Sequence, residues 1–316
     1  MTSDLSSVQS AVLASIDGRL LDLVLLPTEQ CNFRCFYCYE NFAIGRMRRS
    51  VVQGVKSLIS ARLPALQYLH LSWFGGEPLL AMDIIQDVSE HVLELRRTHT
   101  QCRYLGGMTT NAYTLTPSVL QKLVALGVLH YQVSLDGDQE AHDRYRKTAA
   151  GKGTFETIWA NLLGARGVDH EFSVTLRLHV TSDNSRGLAR LIEMINEEFG
   201  EDPRFKIYLK PVERMGGPND PILPKLDRNS ERRTLGDLQR LVKKESSLAV
   251  VEDELHPYVC YAGKANSFVI RADGGVAKCT VALYDERNRV GKLNEDGTIA
   301  LDRLRLMPWL KGLETL

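Results

Sequence analysis

From residue 20 to about 245, short apolar runs alternate with stretches of helical periodicity. Residues 20–26 (LLDLVLL) read as a strand, and Val51, Val52, Val55, Leu58, Ile59 and Leu63 then recur on one helical face. Residues 68–73 (YLHLSW) form a second strand, followed by a helix marked by Ile84, Ile85, Val88, Val92 and Leu95. A third strand at 104–109 is weakened by Gly106 and Gly107. The next helix is punctuated by Thr116 as N-cap, Pro117 in the first turn and Gly127 just past the end. Strands at 130–134, 172–180 and 205–209 follow, with helices near 155–166, 188–199 and 231–244.

Strict alternation of strand and helix argues for parallel strands with crossover helices. Six such units fit either a doubly wound sheet or an incomplete barrel, and the pattern alone does not choose. After residue 250 the texture changes. Residues 267–270 and 276–279 flank Ala-Asp-Gly-Gly, and 290–293 and 298–301 flank Asn-Glu-Asp-Gly, two hairpin signals. The expected organisation is a short extension at 1–19, an α/β domain at 20–249 and a small β-rich module at 250–316.

Composition sharpens this only at the edges. The 39 basic and 39 acidic residues cancel, which disfavours a nucleic-acid partner. There is no long apolar run and no signal-like N-terminus, so a cytoplasmic protein without membrane association is expected.

The chemistry lies in the cysteines, at 31, 35, 38, 102, 260 and 279. Three fall within CNFRCFYCY, residues 31–39, directly after the first strand, too tightly clustered for a disulfide framework. Three thiolates on one loop can hold three irons of a cubane and leave the fourth iron open to a small molecule. Structural zinc would want a fourth ligand, and none is nearby in sequence. The bland alternative is three ordinary thiols on a loop.

The C-x3-C-x2-C spacing, with aromatic Tyr37 before the last cysteine, resembles the signature of the radical S-adenosylmethionine (SAM) superfamily. The resemblance implies a partial (β/α)6 TIM barrel carrying a [4Fe–4S] cluster on Cys31, Cys35 and Cys38, with S-adenosyl-L-methionine chelated at the open iron. Reductive cleavage there yields a 5′-deoxyadenosyl radical that abstracts hydrogen from a substrate. Phe74-Gly75-Gly76-Glu77-Pro78 resembles the family's GGEP motif, and the resemblance implies cofactor contacts from Tyr37, Gly75, Gly76, Glu77, Thr110, Asn111, Ser134 and Arg146. Arg146, in DRYRK, is preferred over Arg144 for the cofactor carboxylate, because a guanidinium is a two-pronged donor. Arg177 and Asn184 are secondary candidates.

The SLDG segment at 134–137, His142-Asp143 and GKGTFETIWANL at 151–162 resemble the subfamily with a C-terminal SPASM or twitch module. Cys260, Gly274 and Cys279 match that module's opening, which implies an auxiliary iron–sulfur cluster. Two thiolates fall short of a cubane's usual complement. Three explanations stay open: a shortened chain, a degenerate site, or a further ligand such as Cys102, a His or the substrate. Structural cysteines are the fourth.

Enzymes of this architecture mature ribosomally made peptides by crosslinking, epimerisation or oxidation. The resemblance therefore implies a peptide or protein substrate, a separate leader-peptide recognition protein, and an electron donor such as flavodoxin or ferredoxin. Sulfatase maturation to formylglycine, small-molecule dehydrogenation and non-catalytic electron transfer are the alternatives. Glu213, Asp273 and Tyr208 are candidate bases by position alone, and the histidines show no ligand spacing.

Overall fold

A computed structural model describes residues 12–242, 249–250 and 259–310. In chain order the strands are β1 (Leu20–Thr28), β2 (Tyr68–Gly75), β3 (Arg103–Thr110), β4 (Val128–Leu135), β5 (Ser173–Val180) and β6 (Phe205–Pro211). Then come β7 (Ala249–Val250), β8 (Ser267–Ile270), β9 (Gly275–Ala277), β10 (Gly291–Leu293) and β11 (Ile299–Leu301). The helices are α1 (Arg49–Arg62), α2 (Met82–Arg96), α3 (Pro117–Ala125), α4 (Gln139–Tyr145), α5 (Phe155–Ala165), α6 (Ser185–Phe199), α7 (Arg228–Leu241) and α8 (Arg303–Leu306). The chain divides into two compact units, residues 1–30, 42–108 and 254–316 in one, and 31–41 and 109–253 in the other.

In the first unit, β1 lies between β2 and β8 and is parallel to both. Leu21, Leu23, Leu25 and Leu26 of β1 are buried, as expected of a strand flanked on both edges. β8, β9, β10 and β11 then run antiparallel to one another in sequence order. Both hairpins anticipated from the turn signals are therefore present. The sequence did not show that β8 would extend the parallel strands at the β1 edge. Leu26 packs with Val269, Ala277 and Leu283, which seats the C-terminal strands on the end of β1.

In the second unit, β4, β5, β6 and β7 are consecutive parallel neighbours. α6 buries Leu188, Leu191, Ile192, Ile195 and Phe199 on one face, at the expected helical spacing. The Thr116 hydroxyl caps α3 by accepting from the Val119 amide, as its sequence position predicts. α4 was not anticipated. At seven residues it is too short for periodicity to reveal, and only its Asp138 cap, accepting from the Ala141 amide, announces it. The charged helix expected to run to 244 ends at Leu241, and residues 243–248 lie outside the described residues. No helix among the described residues is long and apolar enough to cross a membrane.

Candidate iron–sulfur and cofactor site

The first unit holds the exit of β1 and the Gly75-Gly76-Glu77 segment. Gly75 adopts φ +115, a conformation side chains rarely take, and a Cβ there would stand 2.3 Å from the Thr28 carbonyl oxygen. A Cβ on Gly76 would stand 2.4 Å from the Gln30 carbonyl oxygen, and the Glu77 amide donates to that oxygen at 2.9 Å. The two glycines thus let this segment lie directly on residues 28–30, immediately before the first cysteine. Glu77 is fully buried, and its Oε1 accepts from the Leu79 amide at 3.0 Å, capping the short 3-10 turn Pro78–Ala81.

At the same strand exit, Glu29 is buried against Arg271. Arg271 Nη1 also donates to the Leu283 carbonyl at 2.9 Å, and the Ala272 amide donates to Glu29 Oε1 at 3.3 Å. Burial opposes the charge of Arg271, but the Glu29 carboxylate raises its pKa all the same. No motif marked this pair.

The second unit holds the cysteine loop. Its backbone is laced to residues 145–149: the Arg34 amide donates to the Lys147 carbonyl at 2.8 Å, Phe36 to Tyr145 at 2.8 Å, and Ala149 to Asn32 at 2.7 Å. From another side, Asn219 Nδ2 donates to the Phe36 carbonyl at 2.7 Å. Cys31, Cys35 and Cys38 are half-buried and take part in no disulfide among the described residues. The Phe33 amide points at Cys31 Sγ at 3.3 Å. Asn111 Nδ2 donates to Asn32 Oδ1 at 2.8 Å, with Cys31 Sγ 4.0 Å away. Burial pushes the Cys35 thiol up, and pushes that of Cys38 to about 12.

Among the described residues, no three His, Cys, Asp or Glu side chains are grouped to hold one metal ion. A cubane makes a different demand, since each thiolate binds its own iron at a separate corner. The donor set fits that demand: three soft sulfur donors on one pinned loop, with an amide directed at the first of them.

Tyr37 turns into the unit's interior. Its hydroxyl lies 2.8 Å from Asp136 Oδ2 and 3.0 Å from His179 Nδ1, and accepts from Arg146 Nη1 at 2.8 Å. Asp136, Arg146 and His179 are buried. Burial works to raise the Asp136 pKa, but the His179 hydrogen bond and the Arg146 charge outweigh it and hold the pKa low. Burial likewise opposes the charge on Arg146, yet Tyr37, Cys35 and Asp136 keep it firmly protonated. Arg146 Nε has no partner among the described residues.

The remaining expected residues stand at strand ends. Thr110 closes β3 and accepts from the Ala112 amide at 3.1 Å, and Asn111 Oδ1 accepts from Tyr113 at 2.9 Å. Ala112 between them has φ +59, the left-handed region that few non-glycine residues occupy. Ser134 pairs in register with Arg177, and Arg177 with Tyr208. Asn184 donates to the carbonyls of Asp136 and His179, both at 2.8 Å, so it organises backbone. Arg144 lies at the surface between Glu140 and Asp183.

Sequence reasoning gave the histidines no role, and two are central. His179 belongs to the Tyr37 cluster. His142 Nδ1 accepts from the Asp136 amide at 3.4 Å, its Nε2 meets Thr154 Oγ1 at 3.0 Å, and Thr154 donates to the Arg146 carbonyl at 2.9 Å. Position at a strand end was the available signal for His179. For His142 it was the His142-Asp143 pair of the subfamily resemblance, to which no role was attached.

A family model described as the Radical SAM superfamily matches residues 25–195. This chain belongs to the radical SAM superfamily. The family uses a [4Fe–4S] cluster and S-adenosylmethionine. The AdoMet-dependent heme synthase of Methanosarcina barkeri is 28% identical over 203 residues, 62% of this chain and 52% of that protein, so the match spans about half of that relative's length. The cysteine-type anaerobic sulfatase-maturating enzyme of Clostridium novyi is 24% identical over 299 residues, covering 87% of this chain and 77% of that enzyme. The structure of Streptococcus suis SuiB bound to precursor peptide SuiA superposes with TM-score 0.68 at 17% identity, over 99% of this chain and 70% of that one. The radical SAM chain therefore has the α/β fold expected of it, with parallel strands and an antiparallel C-terminal set.

Cys260 and Cys279 both lie in the first unit. Cys260 is exposed and Cys279 half-buried. The residues after each are joined: Tyr261 Oη lies 2.8 Å from Thr280 Oγ1 and accepts from the Thr280 amide at 2.8 Å. Buried Asn288 receives the Lys278 and Cys279 amides at 2.8 and 3.0 Å and donates to the Cys279 carbonyl at 2.7 Å. Cys102 is buried elsewhere, where Arg96 Nε donates to its carbonyl at 3.0 Å. Among the described residues, neither Cys260 nor Cys279 belongs to a group of three His, Cys, Asp or Glu side chains that could hold a single metal ion.

Proposed function

We propose that this radical SAM enzyme carries its [4Fe–4S] cluster on Cys31, Cys35 and Cys38 and modifies a peptide substrate. The observation that carries the reading is the cysteine loop itself, pinned through Arg34, Phe36 and Asn32 while its three thiols stay half-buried. When bound, the cluster and S-adenosylmethionine together supply a hydrogen-abstracting radical. The chain's own residues do the holding. The Phe33 amide donates toward Cys31 sulfur. Arg146 keeps a buried positive charge, and its Nε, without a partner among the described residues, is suited to the cofactor carboxylate. Thr110, Asn111 and Ser134 present polar groups at the ends of β3 and β4.

A peptide substrate is supported by the fold shared with SuiB, whose structure holds a precursor peptide. An electron donor of the flavodoxin or ferredoxin kind and a separate leader-binding protein belong to the same reading. The match to the sulfatase-maturating enzyme across most of the chain favours a second reading, oxidation of a protein Cys or Ser. Uniformly deuterated peptide pools test the first. Deuterium appearing in 5′-deoxyadenosine supports it, whereas transfer only from deuterated free amino acids or sugars contradicts it.

A further inference from the structure

The cluster around the Tyr37 hydroxyl admits one consistent arrangement of protons. Asp136, held ionised, can only accept. His179 Nδ1 lies 3.0 Å from Asp136 Oδ1 and therefore carries its proton toward that oxygen. The Tyr37 hydroxyl has a single proton, which goes to Asp136 Oδ2 at 2.8 Å. Its oxygen then accepts from Arg146 Nη1 at 2.8 Å and faces the His179 N–H at 3.0 Å. The two rings also lie against each other, with centroids 4.8 Å apart. Asn184 in turn fixes the backbone of both anchors.

We infer that Asp136 and His179 are positioning residues that act through Tyr37 to set the conformation of the cysteine loop between Cys35 and Cys38. On its outer side the loop's backbone is held at Phe36, by Tyr145 and Asn219. Tyr37 is the next residue, and its tether reaches down to the ends of β4 and β5. A loop fixed on both its edges and its interior presents the third cysteine in one geometry rather than several. Nothing in the inference requires either residue to touch the cofactor.

The inference rests on the proposed cluster assignment, and the test separates the two. Wild-type protein, reconstituted anaerobically, is compared with Tyr37→Phe, His179→Leu, His179→Asn and the Tyr37→Phe/His179→Leu double variant. Iron per chain, the electron paramagnetic resonance spectrum of the reduced cluster and affinity for S-adenosylmethionine are measured. The expected result is unchanged iron throughout, with the same spectral change in Tyr37→Phe and His179→Leu. Each of these two loses affinity by about tenfold, the scale of one buried hydrogen bond. The double variant is no worse than the weaker single, and His179→Asn, which retains a donor near the Nδ1 position, matches wild type. Wild-type spectra and affinity in both singles, additive losses in the double, failure of His179→Asn to rescue, or loss of iron in Tyr37→Phe would each overturn the inference. Wild-type protein that binds no iron overturns the cluster assignment itself, and the inference with it.

Discussion

The Arg271 guanidinium grips the Glu29 carboxylate through two hydrogen bonds, Nε to Oε1 at 3.2 Å and Nη2 to Oε2 at 2.6 Å, with both side chains buried. The pair joins the residue after β8 to the residue after β1, and Glu29 stands two positions before Cys31. Removing one member leaves the other charged and buried. Arg271→Met is therefore expected to cost about 3–5 kcal/mol of stability. Arg271→Met with Glu29→Leu is expected to recover much of that loss, because no charge is then stranded. Urea denaturation of both variants checks the contrast.

Gly75 and Gly76 give a second stability prediction. A Cβ at either would meet backbone of residues 28–30 at 2.4 Å or less, and Gly75 is in addition at positive φ. Gly75→Ala is expected to destabilise by about 1–3 kcal/mol through strain alone, and more through the collision. Gly45→Ala, where a Cβ meets nothing within 4 Å, is the control and is expected to stay near wild type by thermal unfolding.

His142 is expected to make stability pH-dependent. Burial pushes its pKa down from 6.5 to about 4, partly opposed by Asp136. The unfolded chain binds the proton more readily, so the contribution is complete above about pH 6.5 and is lost as pH falls toward 4. The difference corresponds to about 3 kcal/mol. Urea unfolding at pH 7 and at pH 4.5 is expected to show this loss in wild type and a smaller one in His142→Gln. An equal loss in both would assign the acid sensitivity to other groups.

Arg146 offers a binding prediction. Arg146→Ala is expected to weaken S-adenosylmethionine affinity by about 1.5–3 kcal/mol, the value of one charge-assisted hydrogen bond, with iron content unchanged. Isothermal titration of the reconstituted protein measures it. Unaltered affinity would move attention to Arg177, whose Nε also lacks a partner among the described residues.

The parts of this molecule legible in sequence are those whose chemistry is local. Cys31, Cys35 and Cys38 stand out as a candidate cluster loop because eight residues contain the whole pattern, and helices such as α6 announce themselves by period. The Tyr37 tether spans 99 positions to Asp136 and 142 to His179, so no window of sequence contains it. The Glu29–Arg271 pair spans 242. Gly75 and Gly76 were legible as a motif, but the sequence could not show that their nearest neighbour is the chain's own backbone at the β1 exit. Distance along the chain hides a contact, whatever its strength.

The central claim is that Cys31, Cys35 and Cys38 together hold the cluster that cleaves S-adenosylmethionine. The most direct measurement is iron content and 5′-deoxyadenosine formation after anaerobic reconstitution and reduction, in wild type and in the triple variant Cys31→Ala, Cys35→Ala, Cys38→Ala. Wild type is expected to hold about four irons at this loop and to form the product, and the triple variant to lose both. A triple variant that still forms 5′-deoxyadenosine would contradict the account.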